Sequence, residues 1–124
     1  MQNIPPNVQN EITQFQQLEQ QYQMIASQLQ TMGAEIKDAD DTLSALSALE
    51  GGEEVFKSVG SVLFKSTKEK VEKDLNERKE TLTLRKSTLE RQEARLRTKL
   101  QESQKKIQEL LGSTAEPGKA MQGS

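Results

Sequence analysis

Two interleaved seven-residue repeats govern what this chain can fold into. Phe15, Tyr22, Leu29, Ile36 and Leu43 fall seven apart, and Leu18, Ile25, Met32, Ala39 and Leu46 do the same on a second track. Five unbroken heptads with apolar residues on both tracks specify a helix that buries one narrow stripe against another helix. The positions between are polar. Ten Gln lie between Gln2 and Gln30, and Gln favours helix without adding charge. Gly33 is the one weak point, costing about 1 kcal/mol relative to Ala. Asn3, Pro5 and Pro6 mark the start, because proline in a first helical turn gives up only an N–H that has no partner there. No further Pro interrupts before Glu50, and Gly51-Gly52 ends the segment, so the first coiled-coil helix is expected over 1–50.

A matching seam lies downstream. Leu75, Leu82, Leu89 and Leu96 are spaced by seven, and Leu100, Ile107 and Leu110 continue the pattern. Ser66-Thr67-Lys68-Glu69 fits a capping box with Ser66 as N-cap, which predicts a second coiled-coil helix over 67–111. If the two helices run antiparallel, facing residues have numbers with a constant sum. Leu43 with Leu75, Ile36 with Leu82, Leu29 with Leu89, Tyr22 with Leu96 and Val8 with Leu110 all sum to 118, as does Leu18 with Leu100. One register therefore aligns both seams. Glu72, Lys79, Lys86 and Glu93 hold the second track of the later helix, where their stems can lie across the seam with the heads in water. A stem of roughly 40 residues would be about 60 Å long.

Between the helices the period changes. Val55, Phe56, Val59, Val62, Leu63 and Phe64 form two β-prone runs flanking Gly60, which reads as a β-hairpin with its turn near Ser58 to Ser61 inside a 51–66 segment. An isolated two-stranded hairpin is marginal, and both strands are edges. Val55, Phe56, Val59, Gly60, Val62, Leu63 and Phe64 are therefore assigned to subunit assembly, the hairpin joining an intersubunit sheet or barrel. An ordered linker is the plainer alternative.

At the other end both helix termini contribute apolar residues: Val8, Ile12 and Phe15 from the first, Leu100, Ile107, Leu110 and Leu111 from the second. Ile12 and Leu111 fall off the common register and should face outward or sideways. Two readings stand side by side here, a binding surface and a local clasp that closes a frayed end. The remaining 112–124 segment is small and polar and is expected to be a disordered tail.

Composition removes other classes. With 32% hydrophobic residues, no Trp, one Tyr and three Phe, the chain cannot fill the core of a compact monomer of its length. Cys and His are both absent. Disulfides and thiolate sites are thereby excluded, together with the commonest general base, and a reducing, cytoplasmic compartment fits. Asp38, Asp40 and Asp41 cluster on a solvated helix face with no loop to complete a metal site. Gly51-Gly52 lacks the Lys-Ser/Thr of a phosphate loop. No catalytic constellation and no cofactor is indicated. No apolar run exceeds four residues, so no membrane span is expected. Residues 1–50 carry seven acidic and one basic residue, and residues 51–124 carry 12 acidic and 16 basic, so the halves attract weakly when folded together. The second helix has 13 Lys/Arg against nine Asp/Glu, interspersed and without aromatics, which argues against nucleic-acid binding.

Over 1–111 the sequence resembles a β subunit of the archaeal prefoldin family. The resemblance lies in Ile4-Pro5-Pro6-Asn7-Val8-Gln9 leading to Gln14-Phe15-Gln16-Gln17-Leu18, in Val55 through Leu63, and in Lys79-Glu80-Thr81-Leu82 and Leu89-Glu90-Arg91-Gln92-Glu93. A single hairpin between two long helices matches the β class. The resemblance implies a hetero-hexamer of two α and four β subunits, with hairpins pooled in a β-barrel body and coiled coils hanging from it. It further implies ATP-independent holding of non-native proteins at the tips and their delivery to a group II chaperonin. Val8, Ile12, Phe15, Leu100, Ile107, Leu110 and Leu111 then become client-binding positions. A structural coiled-coil tether or spacer within a larger complex is the alternative, and a nucleic-acid-binding arm a second rival.

Overall fold

In a computed structural model, residues 4–114 are described. They form helix α1 (Pro6–Ser47), strands β1 (Val55–Val59) and β2 (Val62–Ser66), and helix α2 (Lys68–Thr114). The chain divides into two units. Unit 1 holds the residues up to Ser27 together with those from Glu90 onward, and unit 2 holds Gln28–Leu89.

Pro6 is the first residue of α1, and the Pro5 carbonyl accepts from the amides of Val8 and Gln9, both at 3.0 Å. The Gln9 side-chain amide donates to the Ile4 carbonyl at 2.9 Å, tying the chain down ahead of the helix. Asn3 lies outside the described residues. At its far end α1 stops at Ser47, three residues before the expected Glu50. There the ladder tightens to shorter bonds, Ala48 N–H to Ala45 at 3.3 Å and Leu49 N–H to Leu46 at 3.0 Å, and such a turn cannot propagate an α-helix. Gly52 follows at φ 95°, a conformation that L-residues avoid.

The second helix begins one residue later than the capping box places it. Ser66 pairs with Val55 as the last rung of the hairpin, so its backbone belongs to the sheet. Thr67 is the cap instead: its hydroxyl accepts from Lys70 N–H at 3.2 Å and its carbonyl from Val71 N–H at 3.0 Å. Helix α2 then passes Gly112 and reaches Thr114, beyond the expected Leu111. Residues 115–124, the greater part of the expected tail, lie outside the described residues.

Both units carry the heptad seam. In unit 1, Val8 and Leu96 are buried, and Phe15, Leu18, Tyr22, Ile25, Leu100, Ile107 and Leu110 are half-buried. In unit 2, Ala39, Leu46 and Leu82 are buried, with Leu29, Met32, Ile36, Leu43, Leu75 and Leu89 half-buried. Glu72, Lys79, Lys86 and Glu93 are half-buried too, as expected of long stems laid across a seam.

Polar contacts show that the helical segments run antiparallel within each unit. In unit 2, Arg78 Nη2 meets Glu35 Oε2 at 2.8 Å, Lys79 Nζ meets Asp40 Oδ1 at 2.6 Å, and Lys68 Nζ donates to the Leu49 carbonyl at 3.0 Å. In unit 1, Arg97 Nη2 donates to Tyr22 Oη at 3.2 Å, and Ser103 Oγ donates to Glu11 Oε2 at 2.8 Å. The cross-helix ion pairs join the acidic first helix to the basic second, each worth at most about 1 kcal/mol at the surface. A seam this narrow derives its cohesion from many half-buried side chains, since full burial of one Leu contributes only about 1.5–3 kcal/mol.

Candidate functional site

The hairpin follows directly from its sequence. Val59 pairs with Val62 across a two-residue connection, Gly60-Ser61. Gly60 has φ 60°, and among the described residues no non-Gly residue has a positive φ. That combination is a II′ turn, whose twist matches the flanking strands. The turn thus sits one residue further on than the centre of the Ser58–Ser61 span.

Directly opposed residues share a face. One face of the hairpin carries Val55, Val59, Val62 and Phe64 with Lys57 and Ser66, and the other carries Phe56 and Leu63 with Ser58 and Lys65. Each face mixes apolar and polar side chains. Only Val55 is buried; Phe56, Val59, Val62, Leu63 and Phe64 leave between 50% and 68% of their surface open. Lys57 reaches Asp74 of α2 at 3.2 Å, so the Val55 face is the one tied to the helix. Lys65 pairs with Glu54 at 3.2 Å on the opposite face. A closed II′ hairpin of this register makes Val59 and Val62 a hydrogen-bonded pair. The backbone groups of Phe56, Ser58, Leu63 and Lys65 therefore point outward along the two edges. Five open apolar side chains and two edges thus lie together on one small hairpin.

The helix-terminal end is built differently. Val8 exposes none of its surface, Ile12, Phe15, Leu100, Ile107 and Leu110 are half-buried, and only Leu111 is exposed among the seven residues placed there. Ile4, which the apolar spacing does not single out, is exposed as well. Sequence reasoning also passed over a polar layer in this seam. Glu11 is buried, accepts from Ser103 Oγ, and lies 3.3 Å from Lys106 Nζ. The Ser103 hydrogen bond, followed by Lys106, holds the Glu11 carboxyl below its ordinary range despite the opposing cost of burial. Extending the two repeats by one heptad would have found it, since Glu11 precedes Leu18 by seven and Ser103 follows Leu96 by seven. Next along, Arg97 lies 5.9 Å from the Tyr22 ring centroid, and the Tyr22 hydrogen bond raises its pKa further.

An open groove of about 360 Å³ in unit 1 is lined largely by polar side chains, among them Gln14, Gln17, Gln21, Lys99 and Glu102. Among the described residues no group of His, Cys, Asp or Glu could hold a metal ion, and no helix is long and apolar enough to cross a membrane.

Two long helices, antiparallel within each unit, joined by one small and largely exposed hairpin define the class of helical protein to which this chain belongs. Residues 9–114 match the family described as prefoldin subunit. The chain is 42% identical to the prefoldin subunit beta of Archaeoglobus fulgidus over 115 residues, 93% of this chain and 99% of that one. It is 41% identical to the prefoldin subunit beta of Sulfurisphaera tokodaii, over 87% of this chain and 86% of the relative. Among solved structures, the prefoldin beta subunit from Thermococcus strain KS-1 superposes with a TM-score of 0.79 at 39% identity, covering 88% of this chain and 96% of that one. The chain belongs to the prefoldin family of chaperone subunits, and the relatives it matches are archaeal β subunits.

Proposed function

We propose that the chain is one of four β subunits that join two α subunits in an ATP-independent holding chaperone of the cytoplasm. Its hairpin enters a shared β-barrel, its helix-terminal end contacts non-native proteins, and release is by transfer to a group II chaperonin. The observation that carries the assembly half is the hairpin itself. Phe56, Val59, Val62, Leu63 and Phe64 are all exposed on a two-stranded sheet of which only Val55 is buried. Strand addition at the edges would satisfy the backbone while burying those side chains. Client contact is supported by the apolar stock of Val8, Ile12, Phe15, Leu100, Ile107, Leu110 and Leu111 where both helices terminate. Several such ends acting on one unfolded chain give avidity without a deep pocket.

The test is the mass of the intact complex by native mass spectrometry, paired with suppression of aggregation of a chemically unfolded protein. A hexamer with four copies of this chain and two of a second subunit, active in the aggregation assay, is expected. A complex of another composition sinks the assembly half. An intact hexamer that leaves aggregation unchanged sinks the holding half and returns the chain to a tether.

A further inference from the structure

The polar layer of unit 1 occupies seam positions that the repeats would otherwise fill with apolar residues. Glu11 and Ser103 are only 9% and 6% exposed. Each carboxylate oxygen has its own partner: Ser103 Oγ–H donates to Oε2 at 2.8 Å, and Lys106 Nζ forms an ion pair with Oε1 at 3.3 Å. No buried side-chain polar atom among the described residues is left without a partner. A satisfied polar layer in an apolar seam favours one register, because a slip would break the Ser103–Glu11 hydrogen bond. It adds less cohesion than two well-packed apolar side chains would.

On the terminal side of this layer Val8, Ile107 and Leu110 are apolar and covered, while Ile4 and Leu111 are exposed. Val8 precedes Glu11 in α1, and Ile107 and Leu110 follow Ser103 in α2. Val8 is fully buried, and the other two are half-buried. The apolar surface here is stored, held by the last turns of two helices, which are the turns that open at the lowest free energy.

We propose that the Glu11–Ser103–Lys106 layer is a latch: it halts opening of the helix ends at one point, and so sets how much of Val8, Ile107 and Leu110 is presented to a non-native polypeptide. The presentation role rests on the holding-chaperone reading above, whereas the latch itself is measurable without any client.

Amide hydrogen exchange on the full chain in its complex tests it. Glu11→Ala removes the partner of both Ser103 and Lys106, and exchange from Asn7 to Gln14 and from Leu100 to Leu111 should rise by roughly tenfold. Unit 2 should keep its wild-type protection. Glu11→Gln retains an acceptor for Ser103 but no charge for Lys106 and should fall between. The double variant Glu11→Leu, Ser103→Leu makes the seam continuous; exchange at the ends should slow, and capture of a chemically unfolded protein should drop by about threefold. Unchanged exchange in Glu11→Ala, or an equal rise throughout the chain, overturns the latch. Undiminished capture by the double Leu variant, with exchange slowed, overturns the presentation role. A wild-type complex that holds no client overturns the reading beneath that role, whatever exchange shows.

Discussion

Phe56, Val59, Val62, Leu63 and Phe64 of the hairpin leave half or more of their surface open, whereas at the helix-terminal end Val8 leaves none, Ile12, Phe15, Leu100, Ile107 and Leu110 are half-covered, and of the seven only Leu111 is exposed. Both regions concentrate apolar residues, and the chain handles them in opposite ways. A surface shown permanently is tolerable when a permanent partner covers it at once; left bare it invites aggregation. A surface kept for transient contact is safer closed and brought out when the ends open. The difference supports a division of labour within one chain, with assembly at the hairpin and reversible contact at the ends.

The strongest way to break that comparison is at the hairpin. Phe56→Asp with Leu63→Asp places a charge at each apolar position of one exposed face. Neither residue is buried within the chain itself, so helix content by circular dichroism should stay unchanged, while the hexamer mass in native mass spectrometry should vanish. A hexamer that survives would remove the hairpin from assembly. At the other end, replacing Ile12, Phe15, Ile107 and Leu111 with Ser should leave the hexamer intact and reduce suppression of aggregation severalfold. Loss of the hexamer in that variant would show that the two regions are not separable.

The seams were legible because a heptad repeat states its own burial. All ten residues of the two α1 tracks are buried or half-buried, and so are Leu75, Leu82, Leu89 and Leu96. Leu84 marks the limit of composition as a guide: two residues from buried Leu82, it is 65% exposed, and only its place off the repeat says so. The hairpin could be placed from Gly60 and its flanks, but not its strand ends or its cap. Ser66 and Thr67 are both good caps, and pairing of Ser66 with Val55 decides between them. That is a tertiary fact invisible to local spacing. The end of α1 at Ser47 likewise depends on how the turn tightens before Gly52. Glu11 was missed because an acidic residue on a heptad track reads as the end of the seam. Its burial depends on Ser103 and Lys106, which lie 92 and 95 residues away.

A smaller effect sharpens the hairpin side. Gly60 holds φ 60° with open space where a Cβ would stand, so the cost of a side chain there is backbone strain alone. Gly60→Ala should cost about 1–2 kcal/mol locally. The turn should loosen, and hexamer dissociation on dilution should begin at higher protein concentration than in the wild type. Helix-terminal hydrogen exchange should not change. If it does, the hairpin and the helix ends are coupled and the comparison fails.

The smallest effect is at the other end and is read by pH. The folded Glu11 carboxyl titrates below its ordinary value of 4.5 because Ser103 donates to it and Lys106 sits beside it. A group depressed on folding contributes stability that is present above its unfolded pKa and lost as pH falls through the folded one. The window therefore runs downward from about pH 4.5. Lys99, Lys106 and Glu102 line the same groove as Glu11 and are the other ionisable groups beside it. Protonating Glu11 removes the attraction to Lys106 and weakens the acceptor for Ser103, so the helix ends should open. Exchange from Asn7 to Gln14 should rise a few-fold more steeply with acid in the wild type than in Glu11→Gln, which has no proton to gain at that position. Lys99, Glu102 and Lys106 are present in both proteins, so the difference between the two curves belongs to residue 11. Identical curves would mean that the layer holds its register by shape and hydrogen bonding alone, and that the charge on Glu11 plays no part in keeping the apolar end closed.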